Sequence, residues 1–406
     1  MKICDLSELE DCYDTVNINE ETNVFSSKYN EKECFFDLVS DINDIVYDRC
    51  MFAIHEPNFL DFWEELIEES IQTISGNVSE NDRNCIQHIE DEIISTIIDN
   101  ILIFIPPRSK SETKTERKHT NEEYKIQMDH IINDLNDKNK TIPEQRTTEW
   151  YEMRYNTLSA SNLWKLLHTD ATYNQLIKEK TTPMDTSKYS NVNINSTLHW
   201  GQKYEPVSQS YYEHVYDTQI EEYGCILHDK YECIGASPDG MNIKRESPRY
   251  GRLLEIKNII NRDITGIPKK EYWIQMQIQM ECCNALECDF LECRFKEYKN
   301  EIEYMEDAFD ETTKITKTKS GHFKGVIMCF TNSKQQPEYE YMPFTITTLD
   351  EYEQWQSSQM DSCKDKERYW VINTFWYLSE VSCVLVERNQ DWFNSVLPDI
   401  LNTWIH

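Results

Sequence analysis

Residues 253–258 read Leu-Leu-Glu-Ile-Lys-Asn, an aliphatic strand-like run with an acid and a lysine set into it. A strand buried in a core excludes such charges unless they are paired or coordinate a metal. Side chains alternate along a strand, so Glu255 and Lys257 share one face while Leu254 and Ile256 share the other. Any fold of this chain must bring polar matter to that one face. Asp239 lies sixteen residues before Glu255, in Pro238-Asp239-Gly240, a turn sequence at the end of another strand-like piece. A hairpin between them would set Asp239 beside the Glu-x-Lys pair. Two adjacent carboxylates repel unless a divalent cation lies between them, and hard oxygen ligands suit Mg²⁺ or Mn²⁺. A protonated lysine does not ligate, but it can polarise a water or stabilise charge on a phosphate, as metal-assisted phosphodiester hydrolysis requires. A surface turn and a strand-edge ion pair would use the same residues; their order and flanking aliphatic strands favour a site.

The surrounding texture bounds the fold. The 406 residues are 39% hydrophobic and 28% charged, enough for a large core and one or two domains. No apolar run is long enough for a membrane span, and the acidic start Met-Lys-Ile-Cys-Asp-Leu argues against a secretory or mitochondrial leader. The expected setting is therefore intracellular, host cytoplasm or nucleus, with the fourteen cysteines as reduced thiols. The net charge of −32 argues against nucleic acid until its distribution is read. Residues 1–105 carry 25 acids against 5 Lys+Arg, while residues 141–300 carry 23 against 19. We expect an acidic, mainly helical region at 1–105, then a linker and a polar helix at 106–140. From 141 to 406 helices and short β-branched strands alternate, which predicts an α/β core with a mixed sheet. A polar stretch at about 297–322 is expected to interrupt it as a mobile hairpin or insertion.

An Asp followed by (Asp/Glu)-x-Lys is the signature of the PD-(D/E)xK nuclease superfamily, with its restriction-endonuclease-like core of mixed β-sheet flanked by helices. The segments EWYEMRYNTLSAS, WGQKYEP, GASPDG, LLEIKN and YWIQMQIQM occur in the order found in the YqaJ-type viral recombinases, which resemble the exonuclease of bacteriophage lambda. The resemblance covers about residues 145–295 and leaves residues 1–140 aside. It implies Asp239 and Glu255 as metal-binding carboxylates, with the Ile256 carbonyl as a further ligand and Glu205 completing the site from a helix. It implies Lys257 as the residue that activates water and Gln275 as the active-site glutamine, with Gln277 or Gln279 left as polar helix surface. Arg154, Ser161 and Ser237 match the pocket for a 5′-phosphate; an arginine's planar fork suits a terminal phosphate. Arg262 stands one residue closer to the lysine than in that family, and Lys269 and Lys270 are further candidate phosphate contacts. Asn156 replaces a family glycine, at a place where asparagine tolerates left-handed angles.

The resemblance implies a metal-dependent DNA exonuclease acting 5′ to 3′ on duplex ends, with Mg²⁺ or Mn²⁺, two ions, as cofactor. Double-stranded DNA ends, a single-strand annealing protein and a homo-oligomer, a trimer by analogy, are the implied partners; no membrane is. Two alternatives are a structure-selective endonuclease on the same core and a non-catalytic DNA-binding scaffold. Cys282, Cys283, Cys288 and Cys293 cluster after the glutamine helix, but Cys288 and Cys293 fall on opposite faces of a strand. They are expected to be buried structural thiols rather than an iron–sulfur site.

Overall fold

The computed structural model describes residues 67–72, 94, 97, 122–144, 147–183, 196–312, 314–333, 335–363 and 365–405. The chain divides into two compact units, Met1–Arg108 and Ser109–His406. In the first, residues 67–72 are helical; the remaining features expected of 1–105 and the linker at 106–120 lie outside the described residues, 94 and 97 apart.

The second unit opens with helix α1 (Glu122–Asn139). Its composition is polar, yet Met128, Ile132 and Leu135 recur at i, i+4 and i+7 and are buried in the main core. The helix is not a tether. Asp129 accepts from Tyr250 Oη at 2.5 Å and from Arg245 at 3.1 Å, and Asn139 Oδ1 accepts from Gly224 N at 2.9 Å. Gly251 lets the helix approach: its φ is +81°, and a Cβ there would lie 2.6 Å from Met128 Sδ.

Next come α2 (Thr148–Tyr155), β1 (Leu158–Ser159), α3 (Ala160–Leu163), a 3₁₀ turn, and α4 (Asp170–Thr181). The long helix α5 (Thr197–Tyr216) follows; Ser196 caps it by accepting from His199 N at 3.1 Å, and Asp217 ends it in the left-handed region. Five short strands follow: β2 (Ile220–Glu221), β3 (Ile226–Leu227), β4 (Ile234–Ala236), β5 (Gly240–Asn242) and β6 (Leu253–Asn258). Helix α6 (Lys270–Cys283) crosses over to β7 (Glu287–Glu297), and the chain continues through α7 (Glu301–Glu306), β8 (Lys324–Asn332), β9 (Pro337–Tyr341), α8 (Leu349–Asp361), β10 (Arg368–Glu387) and α9 (Gln390–Ile405).

Among the described residues these strands form a small sheet, β1-β4-β3, and a seven-stranded one, β2-β5-β6-β7-β10-β8-β9. In the large sheet β6 and β7 run parallel around α6, and the other pairs are antiparallel. This is the mixed sheet with flanking helices that the sequence predicts. Alternation sorts its faces. Leu253, Cys288 and Phe290 pack into the cluster containing α6, whereas Leu254, Ile256, Leu291 and Cys293 pack against α5. Strand β10 obeys a different parity at its two ends: Trp376 and Leu378 join the α5 side, Val384 and Val386 the α6 side. A register shift between Leu378 and Glu380 produces the switch, because one extra residue turns every later side chain over.

The polar segment after β7 does not hang free. Tyr304 is fully buried among Ile315, Val326 and Phe375, and the Lys324 ammonium donates to the Tyr304 carbonyl at 2.5 Å and to the Asp307 carbonyl. A mobile hairpin or insertion was the expectation; the segment forms α7 and is anchored by a buried tyrosine that its charged composition hides. Helix α8, with a Thr348/Glu351 capping box, is a further element that the sequence reading passed over.

Met128→Ala tests whether α1 belongs to this core. We expect it to cost about 2–5 kcal/mol in urea unfolding of the Ser109–His406 unit. A change within about 0.5 kcal/mol, the range of ordinary surface substitutions, would detach the helix from the core.

Candidate functional site

The hairpin foreseen between Asp239 and Glu255 is present. Strands β5 and β6 pair antiparallel with Gly240 opposite Leu254, and Asp239 N donates to the Leu254 carbonyl at 3.1 Å. Asp239 Oδ2 then accepts from Ile256 N at 2.6 Å, which ties the turn carboxylate to the middle of β6. Gly240 permits the close passage of β2, since a Cβ there would collide with Ile220 Cγ2 and lie 3.1 Å from the Glu221 carbonyl.

Glu255 has no exposed surface. Its Oε1 accepts from the Lys257 ammonium and from Gln275 Nε2 at 2.8 Å, and its Oε2 accepts from Gln279 Nε2 at 2.7 Å. Three donors, one on the strand and two on α6, thus hold a fully desolvated carboxylate. Gln275 and Gln279 are four residues apart and share one helix face. Gln279 also reaches the Ser237 carbonyl at 3.3 Å, so it joins the strand acid to the turn that carries Asp239.

Gln277 and Gln279 therefore need correcting: neither is helix surface, both being at most 1% exposed. Gln277 points the other way, bonding the Glu387 carbonyl at 2.8 Å and accepting from Asn389 N at 2.7 Å. Gln279 is the residue that sequence reasoning missed. Its signal was the i+4 spacing from Gln275.

The electrostatics of this cluster are acid-rich. Burial pushes the Asp239 carboxyl well above the ordinary range; Glu255 pushes it further, Lys257 pulls it back, and Glu205 adds to the rise. Burial opposes the Lys257 charge as well, but Glu255 and then Asp239 outweigh it, and the pKa stays above its usual value. Glu205 projects from the exposed side of α5. That helix is seated by Tyr204, which stacks on Phe295 at 4.5 Å and donates to Glu297 at 2.8 Å, and by Ser208, which donates to Asn258 Oδ1 at 2.7 Å. Asn258 in turn donates to the Gly201 carbonyl at 3.0 Å, so the end of β6 and the turn of α5 before Glu205 are bonded together.

Among the described residues no three His, Cys, Asp or Glu side chains converge closely enough to hold a metal by themselves. The donor set still fits a hard cation: two carboxylates on neighbouring strands, the Ile256 carbonyl between Glu255 and Lys257, and a third acid felt from the helix, against one lysine. The elevated Asp239 pKa marks negative charge that one lysine does not offset.

Arg262 joins the cluster's edge. It pairs with buried Glu292, which is the register partner of Lys257, and its guanidinium and the Lys257 ammonium lie 5.5 and 5.1 Å from the Tyr272 ring centre. Lys269 and Lys270 stand exposed at the start of α6, and Lys269 lies 4.0 Å from Glu271.

A second group gathers at one end of the small sheet. Strands β1 and β4 run parallel with Ser159 opposite Gly235, so Ser161 and Ser237 both follow the same end of this pair. Ser159 occupies the N-cap of α3 but makes no capping bond; its hydroxyl meets that of exposed Ser161 at 3.3 Å. The Ser237 hydroxyl is buried without a nitrogen or oxygen partner, beside the Cys225 thiol. Burial raises the pKa of that thiol while Arg154 lowers it, which places Arg154 in the same neighbourhood. Arg154 itself lies over the Trp150 ring, 4.8 Å from its centre. Asn156, which stands where the family has a glycine, takes φ −87° and ψ 13°, so the turn does not use left-handed angles there. Cys282, Cys283 and Cys288 are buried on the α6 side and Cys293 on the α5 side.

Comparison with known proteins gives four matches. Residues 149–285 match the family model of the YqaJ-like viral recombinase domain. An uncharacterised protein of Acanthamoeba polyphaga mimivirus is 27% identical over 303 residues, 65% of this chain and 53% of the relative; the chain spans about half the length of that curated relative. Among solved structures, an alkaline exonuclease from Laribacter hongkongensis is 18% identical with a TM-score of 0.36, covering 64% of this chain and 91% of that one. A second structure of that enzyme, in complex with dAMP, is 17% identical over the same shares with a TM-score of 0.35.

Gln279→Leu removes the one donor to Glu255 Oε2 among the described residues and leaves that oxygen buried and unpaired. A loss of about 1–3 kcal/mol of stability in urea unfolding is expected, whereas Lys269→Ala at the exposed helix start stays within about 0.5 kcal/mol. Equal effects from both would mean that Glu255 does not depend on the glutamine.

Proposed function

We propose that this chain, whose residues 149–285 match the YqaJ-like viral recombinase domain, is a DNA nuclease working from duplex ends. One observation carries the proposal: Glu255, with no exposed surface, is held by Lys257, Gln275 and Gln279 directly beside Asp239. A purely structural ion pair needs neither the second, half-buried acid nor the third one on α5.

In this reading Asp239, Glu255 and the Ile256 carbonyl hold a divalent cation, Mg²⁺ or Mn²⁺, and Glu205 completes its surroundings from the helix. When bound, the cation would draw charge from the scissile phosphate and favour ionisation of water. The residues of the chain do the rest. Gln275 and Gln279 keep Glu255 in one orientation and leave it no room to rotate. Lys257, held charged by its acidic neighbours, positions water and stabilises the negative charge that grows on the phosphate; in that state it is a donor and not a base. Arg262, pinned by Glu292, adds a second cation at the edge.

Arg154, Ser161 and Ser237 would receive a terminal 5′-phosphate, which gives the reaction its direction, 5′ to 3′ on one strand of a duplex. The product would be a 3′ single strand, the substrate of a strand-annealing protein, in viral recombination or repair. Lys269 and Lys270 remain candidate backbone contacts. Assembly as a ring of three copies and the use of two metal ions rest on resemblance alone, and no helix among the described residues is long and apolar enough to cross a membrane.

The test is digestion of end-labelled linear duplex in Mg²⁺ or Mn²⁺. The wild type should release 5′ label stepwise, and Lys257→Ala should be slower by about 10²–10³-fold. Full activity in the variant, or no cleavage by the wild type in either metal, would falsify the nuclease reading. Equal release of 5′ and 3′ label would remove only the direction, and internal nicking of a closed circle would favour the endonuclease alternative.

A further inference from the structure

Lysine 180 sits near the C-terminal end of α4 and carries an unusual load. Its ammonium donates to the Arg154 carbonyl at 2.7 Å, to the Tyr155 carbonyl at 3.2 Å and to the Thr157 carbonyl at 2.6 Å. Those are the last two carbonyls of α2 and that of Thr157 in the turn that follows it. A helix end leaves such carbonyls without intrahelical partners and concentrates negative potential there. An ammonium has three N–H donors, and here each finds one carbonyl.

The same turn is held from two other directions. Thr157 Oγ1 donates to the Met153 carbonyl at 3.1 Å, and Tyr155 Oη donates to the Thr182 carbonyl at 3.0 Å, just beyond Lys180 on the same chain segment. The turn therefore has one conformation. It carries Arg154 on its entering side and delivers the chain to Ser159 and Ser161 on its leaving side.

Charge makes the arrangement directional. Neither Arg154 nor Lys180 is bonded to a carboxylate among the described residues: Glu179, next to Lys180, pairs with Lys165 at 2.9 Å. Burial, and then the charge of Arg154, push the Lys180 pKa down to about 8, so the ammonium stays mostly charged at neutral pH. Arg154 and Lys180 thus stand together at this turn, and the charges of both act on the Cys225 thiol, beside which the Ser237 hydroxyl is buried without a nitrogen or oxygen partner. Such a place attracts an anion.

We infer that Lys180 is a positioning residue for terminal-phosphate recognition: by binding the three carbonyls of the turn it holds Arg154 and Ser161 in place and adds a second positive charge behind them. The inference rests on the 5′-phosphate reading of Arg154, Ser161 and Ser237, and deepens it. It needs no cleavage step, so it can be tested apart from the nuclease reading.

The experiment measures binding of the full chain, in EDTA to prevent cleavage, to fluorescent duplexes that differ only in a 5′-phosphate or a 5′-hydroxyl at one end. The wild type should prefer the phosphorylated end by about tenfold or more, the size expected for hydrogen bonds to a charged group. Lys180→Met, close in length but uncharged, should reduce the preference to about twofold. Lys180→Arg should restore part of it, because a guanidinium again offers several donors to the carbonyls. Lys165→Met breaks the neighbouring ion pair but touches none of these carbonyls, and should keep the wild-type ratio. A wild type that binds both ends alike overturns the inference. So does a Lys180→Met protein that keeps its preference, or a Lys165→Met protein that loses it to the same extent. Failure of the nuclease reading shows separately, as absence of cleavage in metal by a wild type that still prefers the phosphorylated end.

Discussion

A carboxylate with no exposed surface has lost its water and needs hydrogen-bond donors from the protein in its place. Glu255 meets that requirement only if β6 and α6 lie at one particular register, because two of its three donors come from that helix. The helix is the crossover between β6 and β7, so its placement also sets the parallel pairing of those strands. Strand β10 then extends the sheet from β7, and the turn at Asp239 closes onto β6 from the other edge. One desolvated acid thus ties together the hairpin, the crossover and the centre of the sheet. An apolar residue at 255 would pack more cheaply, which is why the retained charge points to chemistry.

The two faces of the sheet treat charge differently. On the α5 side, buried Asp289 is bonded by Arg249 at 2.5 Å, Arg252 at 3.2 Å and the Tyr212 hydroxyl, and Arg252 also pairs with Glu287 at 2.8 Å. Two arginines match two acids, and the network is closed. On the α6 side, Asp239 and Glu255 face a single lysine, with Glu205 nearby. Both networks are buried, but only the second leaves negative charge that something from outside would neutralise. The imbalance, more than the burial, separates a site from a staple.

Much of this was legible because the governing signals are local in sequence. Asp239 lies in a turn, Glu255 and Lys257 alternate on a strand, and a hairpin of that length has few ways to close. The order of strands β4 to β7 around a helix followed from the same spacing. What escaped depended on contacts that composition hides. Helix α1 reads as polar because three apolar residues out of eighteen suffice to seat it. The segment after β7 reads as loose because its anchor is one tyrosine and a lysine bonded to carbonyls. Gln279 was passed over because its neighbour Gln277 faces away, and only the i+4 relation to Gln275 reveals it.

The net charge of the chain is therefore a poor guide to what it meets. Most of the −32 excess belongs to the first 105 residues, and the stretch that forms the sheet is nearly balanced. Within that balance, opposite charges are kept apart over short distances: the acids of the Asp239–Glu255 group on one side, and Arg154 with Lys180 on the other. The Ser237 carbonyl bonds to Gln279 of the first group, while the Ser237 hydroxyl lies beside Cys225, next to the second. One residue thus borders both an acid-rich place suited to a cation and a cationic place suited to a phosphate. For the proposed nuclease, a DNA end would present a terminal phosphate next to the bond to be cut, and two adjacent places of opposite sign would match that polarity better than a uniformly basic groove. Such a groove would hold duplex DNA anywhere along its length, whereas paired sites of opposite sign would select the end.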